Sequence, residues 1–437
     1  MRDSPKAPRP HAGGNANAGS SPDVKAWRCV APWLALVVLL AVPPFLSSQS
    51  WLLAYLAQTA TMIVLALSYN LLLGETGLLS FGHAAFAGLG ALAAAQLFNR
   101  FGIGLPWLPL AGGVGGALAG ALAGAVATRR AGTAFAMITL GIGELVAAAT
   151  WTLPDWFGGV AGVSIDRASG PMWGSWTFGP TREAYAVIAL WCLLASVAIW
   201  ALSRTPLVRL ANAVRDNPVR AAAIGCNPRQ VRYLMFVLAS FFAGVAGTLG
   251  LINVELVSTE SVGMLRSGSV LLATVIGGTG AFFGPVAGAV VLVFFSVALA
   301  NVTHAWLFYL GLFFIVVVAG SPDGLTGFAV RTRARFALHG WRACMPLYGL
   351  DTCSALCWTL AVVLAVQWAY AVQSSDEVAG DLVRVGNIAM VSTASTLMML
   401  AAILALSAAG WCAWRYAQRG WLQLGRASTD AEAGALR

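Results

Sequence analysis

The sequence contains very few charged residues for its length. Of its 437 residues, 10% are Asp, Glu, Lys or Arg, whereas 59% are hydrophobic, and the mean hydropathy is +0.77. A soluble domain of this size needs many more polar side chains to cover its surface. The composition therefore excludes an ordinary water-soluble protein and favours one that lies within a membrane.

Lysine and histidine are especially scarce, which argues against two kinds of catalytic site. A phosphate-binding P-loop places a lysine directly after a glycine, but the only two lysines, Lys6 and Lys25, follow proline and valine. The four histidines are scattered along the sequence, and no His-Glu-x-x-His motif occurs. The chain therefore cannot hydrolyse ATP in a P-loop of its own. An intramembrane enzyme is a weak alternative, because no catalytic constellation is visible.

The seven cysteines show neither disulfide nor metal-site spacing. No Cys-x-x-Cys pair occurs, and no histidine cluster accompanies them. We therefore expect no disulfide framework, no metal ion and no cofactor held by this chain.

Long apolar runs, by contrast, are abundant. Twelve runs are long enough, or nearly so, to cross a hydrocarbon layer as helices, and they lack the alternation typical of a β-barrel. The sequence therefore predicts an all-α polytopic membrane protein. The predicted spans are residues 31–48, 52–73, 78–98, 106–127, 133–153, 184–202, 234–253, 267–281, 284–301, 306–320, 352–372 and 388–414.

Basic residues predict how these spans are oriented. With the N-terminus in the cytoplasm, twenty-one of the twenty-six Lys and Arg residues fall on the cytoplasmic side, as the positive-inside rule requires. Acidic residues dominate the other side. The net charge of +9 therefore reflects topology, and we expect both termini in the cytoplasm and no nucleic-acid partner.

Changes in composition divide the chain into three parts. Residues 1–28, rich in small and polar residues, are expected to be a disordered cytoplasmic tail. Residues 29–328 form a core of ten Gly- and Ala-rich spans that ends at "GSPDGLTGF" (320–328). Residues 329–437 begin with a basic segment, then add a two-span appendage with an acidic hairpin at 376–381 and a cytoplasmic tail.

Two ionisable residues inside predicted spans have both a structural and a functional interpretation. In "GETGLLSFGHAAFAGLGA" (74–91), Ser80, Ala84 and Gly88 recur as a small face for helix contact. Packing does not explain His83, which either lines a polar pathway or makes a helix–helix hydrogen bond. Glu144, in "TLGIGELVAAAT", is expected to be buried, and a structural hydrogen bond to a neighbouring span is slightly favoured over a transport role.

Two glycine-rich segments are expected on opposite sides of the membrane. The glycines of "WFGGVAGVSI" (156–165) permit a tight re-entrant or anion-cradling turn in an external loop. The segment "VIGGTGAFFGPVAGA" (275–289) predicts a tight cytoplasmic turn before a helix that starts near Pro285. Neither pattern is specific alone.

The basic segment "RDNPVRAAAIGCNPRQVRYLMF" (215–236) predicts a short helix between two defined turns. Asn217, which precedes a proline, is expected to cap its start, and Gly225 is expected to end it with a positive φ. A second Asn-Pro pair then begins the next span. The alanine face, flanked by Arg215 and Arg220, favours docking into a protein groove over binding to anionic lipid.

Taken in order, these segments resemble the branched-chain amino acid ABC transporter permease family, of the LivM-like kind. The resemblance implies a permease core of about ten spans in a multi-pass protein of the bacterial inner membrane, here with two extra C-terminal transmembrane helices. The matching segments lie within about residues 74–328 and are "GLLSFGHAAFAGLGA", "ITLGIGEL", "AVRDNPVRAAAIGCNPRQVRYLMFVLASFFAGVAGTL", "VLLATVIGGTGAFFGPVAGA" and "SPDGLTGF".

The resemblance also implies roles for individual residues. Residues 203–233 would hold the coupling helix that transmits ATPase closure, with the motif at Arg215, Asp216, Asn217, Arg220, Ala221, Ala222 and Gly225. The translocation path would be lined or shaped by Ser80, Phe81, Gly82, His83, Phe86, Glu144, Gly158, Gly159, Gly162, Gly277 and Gly278.

The implied partners are a second homologous permease, two ATP-binding cassette subunits that hydrolyse ATP, and an external substrate-binding protein that makes most of the substrate selection. The sequence departs from the family pattern at Leu92, Phe157 and Arg266, which leaves the substrate open among branched-chain amino acids, other amino acids, urea and short amides. An ion-coupled secondary transporter is the alternative class. It would use mid-membrane acids, of which Glu144 is the only one deep in a core span.

Overall fold

The structure is a computed structural model that describes residues 22–46, 49–171, 176–303, 305–382 and 393–435. Its regular elements are helices, together with one antiparallel pair of two-residue strands, β1 (Val163–Ser164) and β2 (Leu256–Val257). The helices are α1 Pro22–Ala41, α2 Pro43–Leu46, α3 Ser50–Thr76, α4 His83–Phe101, α5 Leu108–Ala127, α6 Thr133–Thr152, α7 Pro154–Phe157, α8 Thr181–Ser203, α9 Pro206–Asp216, α10 Pro218–Ala223, α11 Pro228–Val254, α12 Met264–Gly277, α13 Gly284–Val293, α14 Trp306–Gly320, α15 Gly324–His339, α16 Trp341–Leu382 and α17 Thr393–Ala435.

Within the described residues, seven helices are long and apolar enough to cross a membrane, or eight if α14 and α15 are counted as one bent span. Each predicted span overlaps a helix, and the all-α polytopic membrane fold is confirmed. The count of ten core spans plus two stays a prediction, because the remaining spans fall on shorter or less apolar helices. Residues 388–392 of the last predicted span lie outside the described part of the chain.

Two segments differ from the prediction. α1 begins at Pro22, so the end of the predicted tail 1–28 is helical, and residues 1–21 lie outside the described residues. The acidic segment 376–381 belongs to α16, which continues to Leu382, and is therefore not a hairpin. No proline interrupts the helix near this segment, and Glu is a good helix former.

α3 and α11 form the centre of the core. In the most apolar 18-residue stretch of each helix, 67% of the residues of α3 and 72% of those of α11 are buried. The same share is only 28–33% in α5, α6 and α8. α4 and α5 pack closely on α11 because glycines meet at the crossing: a Cβ on Gly244 would overlap the carbonyl of Gly112, and one on Gly90 would overlap Gly244. Such small-residue contacts are typical of helix packing within membranes.

The two ends of this bundle are built differently. At one end β1 pairs with β2, and Arg167 forms a 2.6 Å salt bridge with Glu255 beside this strand pair. At the other end α9 and the turn after α12 meet the last turn of α3, where a Cβ on Gly74 would lie 3.1 Å from the Thr279 carbonyl oxygen. The loops with predicted functions are therefore divided between the two ends.

Contacts within the chain separate two compact units, with the boundary between Thr326 and Gly327. In the second unit, α16 and α17 pack side by side. The Ser354 hydroxyl donates to the Gly410 carbonyl at 2.8 Å, and the Trp421 indole donates to the Asp351 carboxylate at 2.9 Å. This unit therefore has stabilising contacts of its own.

Candidate functional site

The central feature of the core is a break between α3 and α4. α3 ends at Thr76, and Gly77 follows with φ of 69°. α4 begins at His83, whose Nε2 atom lies 2.9 Å from the Ser68 hydroxyl oxygen. Ser68 lies about two helical turns, or roughly 12 Å, before the end of α3. Residues 77–82 therefore return into the bundle, and α4 starts inside it. The sequence predicted instead a continuous span over residues 78–98.

Three helices hold the break in place. The Tyr69 hydroxyl of α3 donates to the Ser80 carbonyl at 3.0 Å, and the Phe81 N–H donates to the Thr139 hydroxyl of α6 at 3.3 Å. The Ala84 N–H, at the start of α4, donates to the Ser267 hydroxyl of α12 at 3.0 Å. The main chain of the break and of the first turn of α4 is therefore bonded to the side chains of three different helices.

Close backbone contact fixes the break against α6. A Cβ on Gly82 would overlap the Thr139 carbonyl, and one on Gly143 would lie 3.0 Å from the Gly82 Cα. The small face predicted at Ser80, Ala84 and Gly88 also allows close packing, since a Cβ on Gly88 would overlap the Val262 side chain. These glycines and alanines allow the helices to approach closely.

Ser80 and His83 carry polar atoms that are not satisfied. Both residues are fully buried, and the Ser80 Oγ and His83 Nδ1 atoms have no hydrogen-bond partner among the described residues. The His83 contact with Ser68 corresponds to the helix–helix hydrogen bond considered from the sequence. Buried unpaired polar groups are costly, and at a broken membrane helix they are typical of transport sites.

Phe86 packs directly beyond the break. Its ring centroid lies 5.1 Å from that of Phe236 in α11, and Phe236 in turn lies 5.8 Å from Phe135 in α6. All three rings are buried. The three rings therefore form a packed aromatic column that joins α4, α11 and α6.

Glu144 does not occupy the buried position expected for it. It is exposed on the outward face of α6 and makes no hydrogen bond or ion pair with the residues that the structure describes. The opposite face of α6 carries Thr139 and Gly143, which contact the break. The expectation of burial was wrong because the apolar sequence around Glu144 does not reveal which face of α6 packs inward.

The glycines of the segment 156–165 form a tight turn that packs on the strand pair. Gly158, Gly159 and Gly162 all have positive φ, and a Cβ on Gly162 would overlap the Val257 carbonyl of β2. The N–H groups of Gly158 and Gly162 donate to the carbonyls of Pro154 and Gly159. These two N–H groups are thus used within the turn and do not contribute to the anion cradle considered from the sequence.

The glycines of the segment 275–289 form an equally tight turn. A Cβ on Gly277 would overlap the carbonyl of Gly284, and Gly278 has φ of 99° and lies against the Asp323 carbonyl. The Thr326 hydroxyl donates to the Gly277 carbonyl at 3.0 Å. Gly277 and Gly278 therefore shape the end of the bundle as the predicted hairpin.

The predicted short helix is present as α10. The Asn217 carboxamide accepts the Arg220 N–H at 2.9 Å, and Gly225 follows the helix with φ of 84°. Asn227 accepts N–H groups from the first turn of α11 in the same way. The predicted caps and the positive-φ turn are confirmed.

The exposed surface of α10 is less uniform than the alanine pattern suggested. Ala221 is buried against the body of the protein, whereas Ala222 is exposed. Val219 and Ile224 are 79% and 73% exposed. The large side chains weaken the argument from alanines against lipid binding, but they also provide apolar anchors for a protein groove.

α9 connects α10 to the break, and sequence reasoning missed this helix. Arg215 donates a hydrogen bond to the Gly74 carbonyl, and the Asn212 amide donates to the Glu75 carboxylate at 2.8 Å. Arg215 is also paired with Asp216, at 3.2 Å. The sequence signals for this helix were the Thr-Pro pair at its start and the apolar residues Val208, Ala211 and Val214 at every third position, which are buried in the structure.

An apolar groove of about 640 Å³ lies between the start of α5 and α8, away from the break. Its walls include Trp107, Leu190, Trp191 and Leu194, and Trp107 and Leu190 are exposed. A zwitterionic or strongly polar solute needs placed polar groups, which these walls do not supply. Among the described residues, no cluster of three or more His, Cys, Asp or Glu side chains could hold a metal ion.

The comparisons with known proteins match most of the region that carries the motifs. Residues 51–320 match the family model described as branched-chain amino acid transport system / permease component. The high-affinity branched-chain amino acid transport system permease protein LivM of Salmonella typhimurium (strain LT2) is 30% identical over 315 residues, which cover 67% of this chain and 73% of that protein. LivM of Escherichia coli (strain K12) is 30% identical over 316 residues, with the same coverage. No solved structure gives a significant match.

The resemblance inferred from the motifs is thereby confirmed. The family match ends at residue 320, before the C-terminal appendage. Because the match covers more than half of the chain and the relatives align with two thirds of it, this chain belongs to the family of branched-chain amino acid transport system permease components.

Proposed function

We propose that this chain is the transmembrane permease subunit of an ATP-driven ABC importer, which moves branched-chain or related amino acids into the cytoplasm. Family membership supports a transport role, and the relatives are named as permease proteins of a high-affinity branched-chain amino acid transport system. Two ATP-binding cassette subunits would bind and hydrolyse the ATP. A second homologous permease and an external substrate-binding protein would complete the transporter.

The observation that carries this proposal is the attachment of α10 to the break. α10 is fixed at both ends by Asn217 and Gly225, and it exposes Val219 and Ile224. The preceding helix α9 is bonded to the last turn of α3, directly before residues 77–82. A partner that moves α10 therefore moves the part of the chain that forms the break.

The polar groups of the break suit an amino acid substrate once it opens. Ser80 offers a hydroxyl and His83 an imidazole nitrogen, both without partners among the described residues. The start of α4 adds the partial positive charge of a helix N-terminus, which favours a carboxylate. Closure of the ATPases would shift α9 and the end of α3, and so separate the break from α6 and α12.

The orientation follows from the charges of the loops. The end of the bundle with α9 and α10 carries Arg204, Arg209, Arg215, Arg220 and Arg229, so this end would face the cytoplasm. The strand-pair end, with Arg167 neutralised by Glu255, would face the external binding protein. Both termini would then lie in the cytoplasm.

The test is uptake by the complex purified with its partners and reconstituted in proteoliposomes. With the binding protein and labelled leucine outside and ATP inside, we expect leucine to accumulate, and accumulation to stop when ATP is withheld. A proton gradient without ATP should not replace ATP. Gradient-driven uptake in the absence of ATP would instead show an ion-coupled secondary transporter.

The same vesicles separate the substrate classes. Labelled urea and acetamide should not be accumulated under conditions in which leucine is. Accumulation of either compound in place of leucine would contradict the amino acid assignment and support the alternative of a permease for urea or short amides.

A further inference from the structure

One face of α6 has no partner within the described chain. Its exposed residues recur at the spacing of a single helical face. Only 28% of the residues in the most apolar 18-residue stretch of this helix are buried. Glu144 lies near the middle of the helix and of this face. The α6 outer face consists of Met137, Gly141, Glu144, Leu145 and Ala148.

Other outward faces of the core differ from it. α5 exposes large apolar side chains at every fourth position and has no charged residue, and these side chains are Leu110, Val114, Leu118, Leu122 and Val126. Such a face suits the hydrocarbon of a lipid bilayer. An ionisable carboxylate at the middle of a span is costly in hydrocarbon and normally faces protein or water, so the α6 outer face requires a different neighbour.

The small residues of this face are not needed by the chain itself. A Cβ built on Gly141 meets no atom within 4 Å, and Ala148 is exposed. By contrast, Gly143, on the other side of the helix, lies against Gly82 in the break. Small exposed residues allow another helix to approach the backbone closely, and polar side chains then make hydrogen bonds between helices.

We propose that the α6 outer face packs against the second permease subunit, and that Glu144 accepts a hydrogen bond from a donor side chain of that subunit. The inference rests on the proposed function, because it requires a transporter with two permeases. A helix of the partner would lie across Gly141 and Ala148. The contact would be one helix away from the break, since the inner side of α6 holds Phe81 through Thr139.

The charge of Glu144 favours a distinct partner over a second copy of this chain. In a two-fold symmetric pair, the same face meets itself, which would bring two Glu144 carboxylates towards each other in a low-dielectric site. Like charges in such a site repel each other, which disfavours the symmetric contact. A homologous subunit with a donor at the facing position avoids this repulsion.

The first test places a bulky residue on the face. In Gly141→Trp the new side chain starts from a position with no atom within 4 Å of its Cβ, on the exposed face of α6, so we expect normal expression and membrane insertion. The second permease recovered with the tagged complex should fall about tenfold or more, because a tryptophan at a close helix crossing lowers the binding constant strongly. Gly311→Trp is the matched control: Gly311 is exposed in α14, has no atom within 4 Å of a built Cβ, and should retain the partner.

The outcomes separate the two proposals. If the wild-type complex brings down no second permease, the proposed function is wrong and this inference fails with it. If the wild type and the Gly141→Trp variant recover the second permease equally, only the assignment of the face is overturned.

A photo-crosslinking amino acid identifies the neighbour directly. Placed at Ala148 in the intact complex, it should give a product that contains peptides of the second permease, whereas the same probe at Leu122 on α5 should give none. Labelling of lipid alone at Ala148, or crosslinking only to another copy of this chain, would overturn the proposal.

Discussion

The side chain of Arg215 donates a hydrogen bond to the main-chain carbonyl of Gly74, in the last turn of α3. Carbonyls at the end of a helix have no partner within that helix, and a cation there also interacts favourably with the helix dipole. Gly77 leaves room for the Arg215 side chain, since a Cβ on Gly77 would lie 2.8 Å from the Arg215 Cγ. The helix next to α10 is therefore attached to the chain just before the break.

The neighbouring pair of Asn212 and Glu75 should act as one unit. We expect Asn212→Ala and Glu75→Ala each to lower ATP-driven leucine uptake several-fold, and the double variant to lower it no further, because both remove the same 2.8 Å hydrogen bond. A hydrogen bond to a charged group is worth about 1.5–3 kcal/mol. Arg209→Ala, on the exposed side of α9, is the control. Losses that simply add in the double variant would show that the two residues act independently.

Gly225 should be required for its backbone conformation. Gly225→Val places a β-branched residue at φ of 84°, which costs on the order of 1 kcal/mol or more. No atom lies within 4 Å of a built Cβ, so steric contact within the chain does not contribute. We expect the variant to insert in the membrane but to lose ATPase recovery and uptake.

Gly225→Asn is the matched control for that variant, because asparagine tolerates positive φ. It should retain more uptake than the valine variant. Normal uptake by well-expressed Gly225→Val would show that this turn does not position α10 for docking.

Variants of Ser68 and His83 should distinguish a structural role of His83 from a role in transport. In Ser68→Ala, His83 loses its hydrogen-bond partner, and the free energy of unfolding should fall by about 1–3 kcal/mol. The thermal midpoint of the purified complex should therefore fall, while the protein that remains folded still transports. His83→Ala should lose uptake beyond its loss of stability, because it also removes a proposed path residue. If uptake follows the folded fraction equally in both variants, His83 has only a structural role.

The parts of the site that were predictable are those encoded by adjacent residues. The capping by Asn217, the turn at Gly225 and the hairpin at Gly277 and Gly278 each depend on a few neighbouring positions with known backbone preferences. The order of these motifs was enough to identify the family.

The parts that were missed depend on contacts between distant residues. The break is held by Thr139 and Ser267, whose bonds to Phe81 and Ala84 cross 58 and 183 residues, and nothing in their local sequence marks them. Glu144 was misplaced for the same reason, because its exposure is set by which side of α6 meets Gly82. A hydropathy pattern gives the length of a span but does not give its neighbours or its starting depth.

The C-terminal appendage should be separable from the core. Truncation after Phe328 keeps the bond from Thr326 to the Gly277 carbonyl and removes α16 and α17, which are bonded to each other through Ser354 and Gly410. We expect the shortened chain to insert, assemble with its partners and transport leucine, with any change limited to regulation by salt or substrate. Loss of assembly would show that these helices belong to the core.

The most direct measurement is the amount of leucine transported per ATP hydrolysed, in proteoliposomes that contain the complete complex with Arg215→Ala. This variant removes the Arg215–Gly74 contact between α9 and α3, while the Asn212–Glu75 bond remains and α10 stays capped. ATP hydrolysis should therefore continue, and leucine transported per ATP should fall about tenfold or more, as expected for loss of a charged hydrogen bond. Arg209→Ala should leave the ratio unchanged. An unchanged ratio in Arg215→Ala would contradict coupling through the Arg215–Gly74 contact.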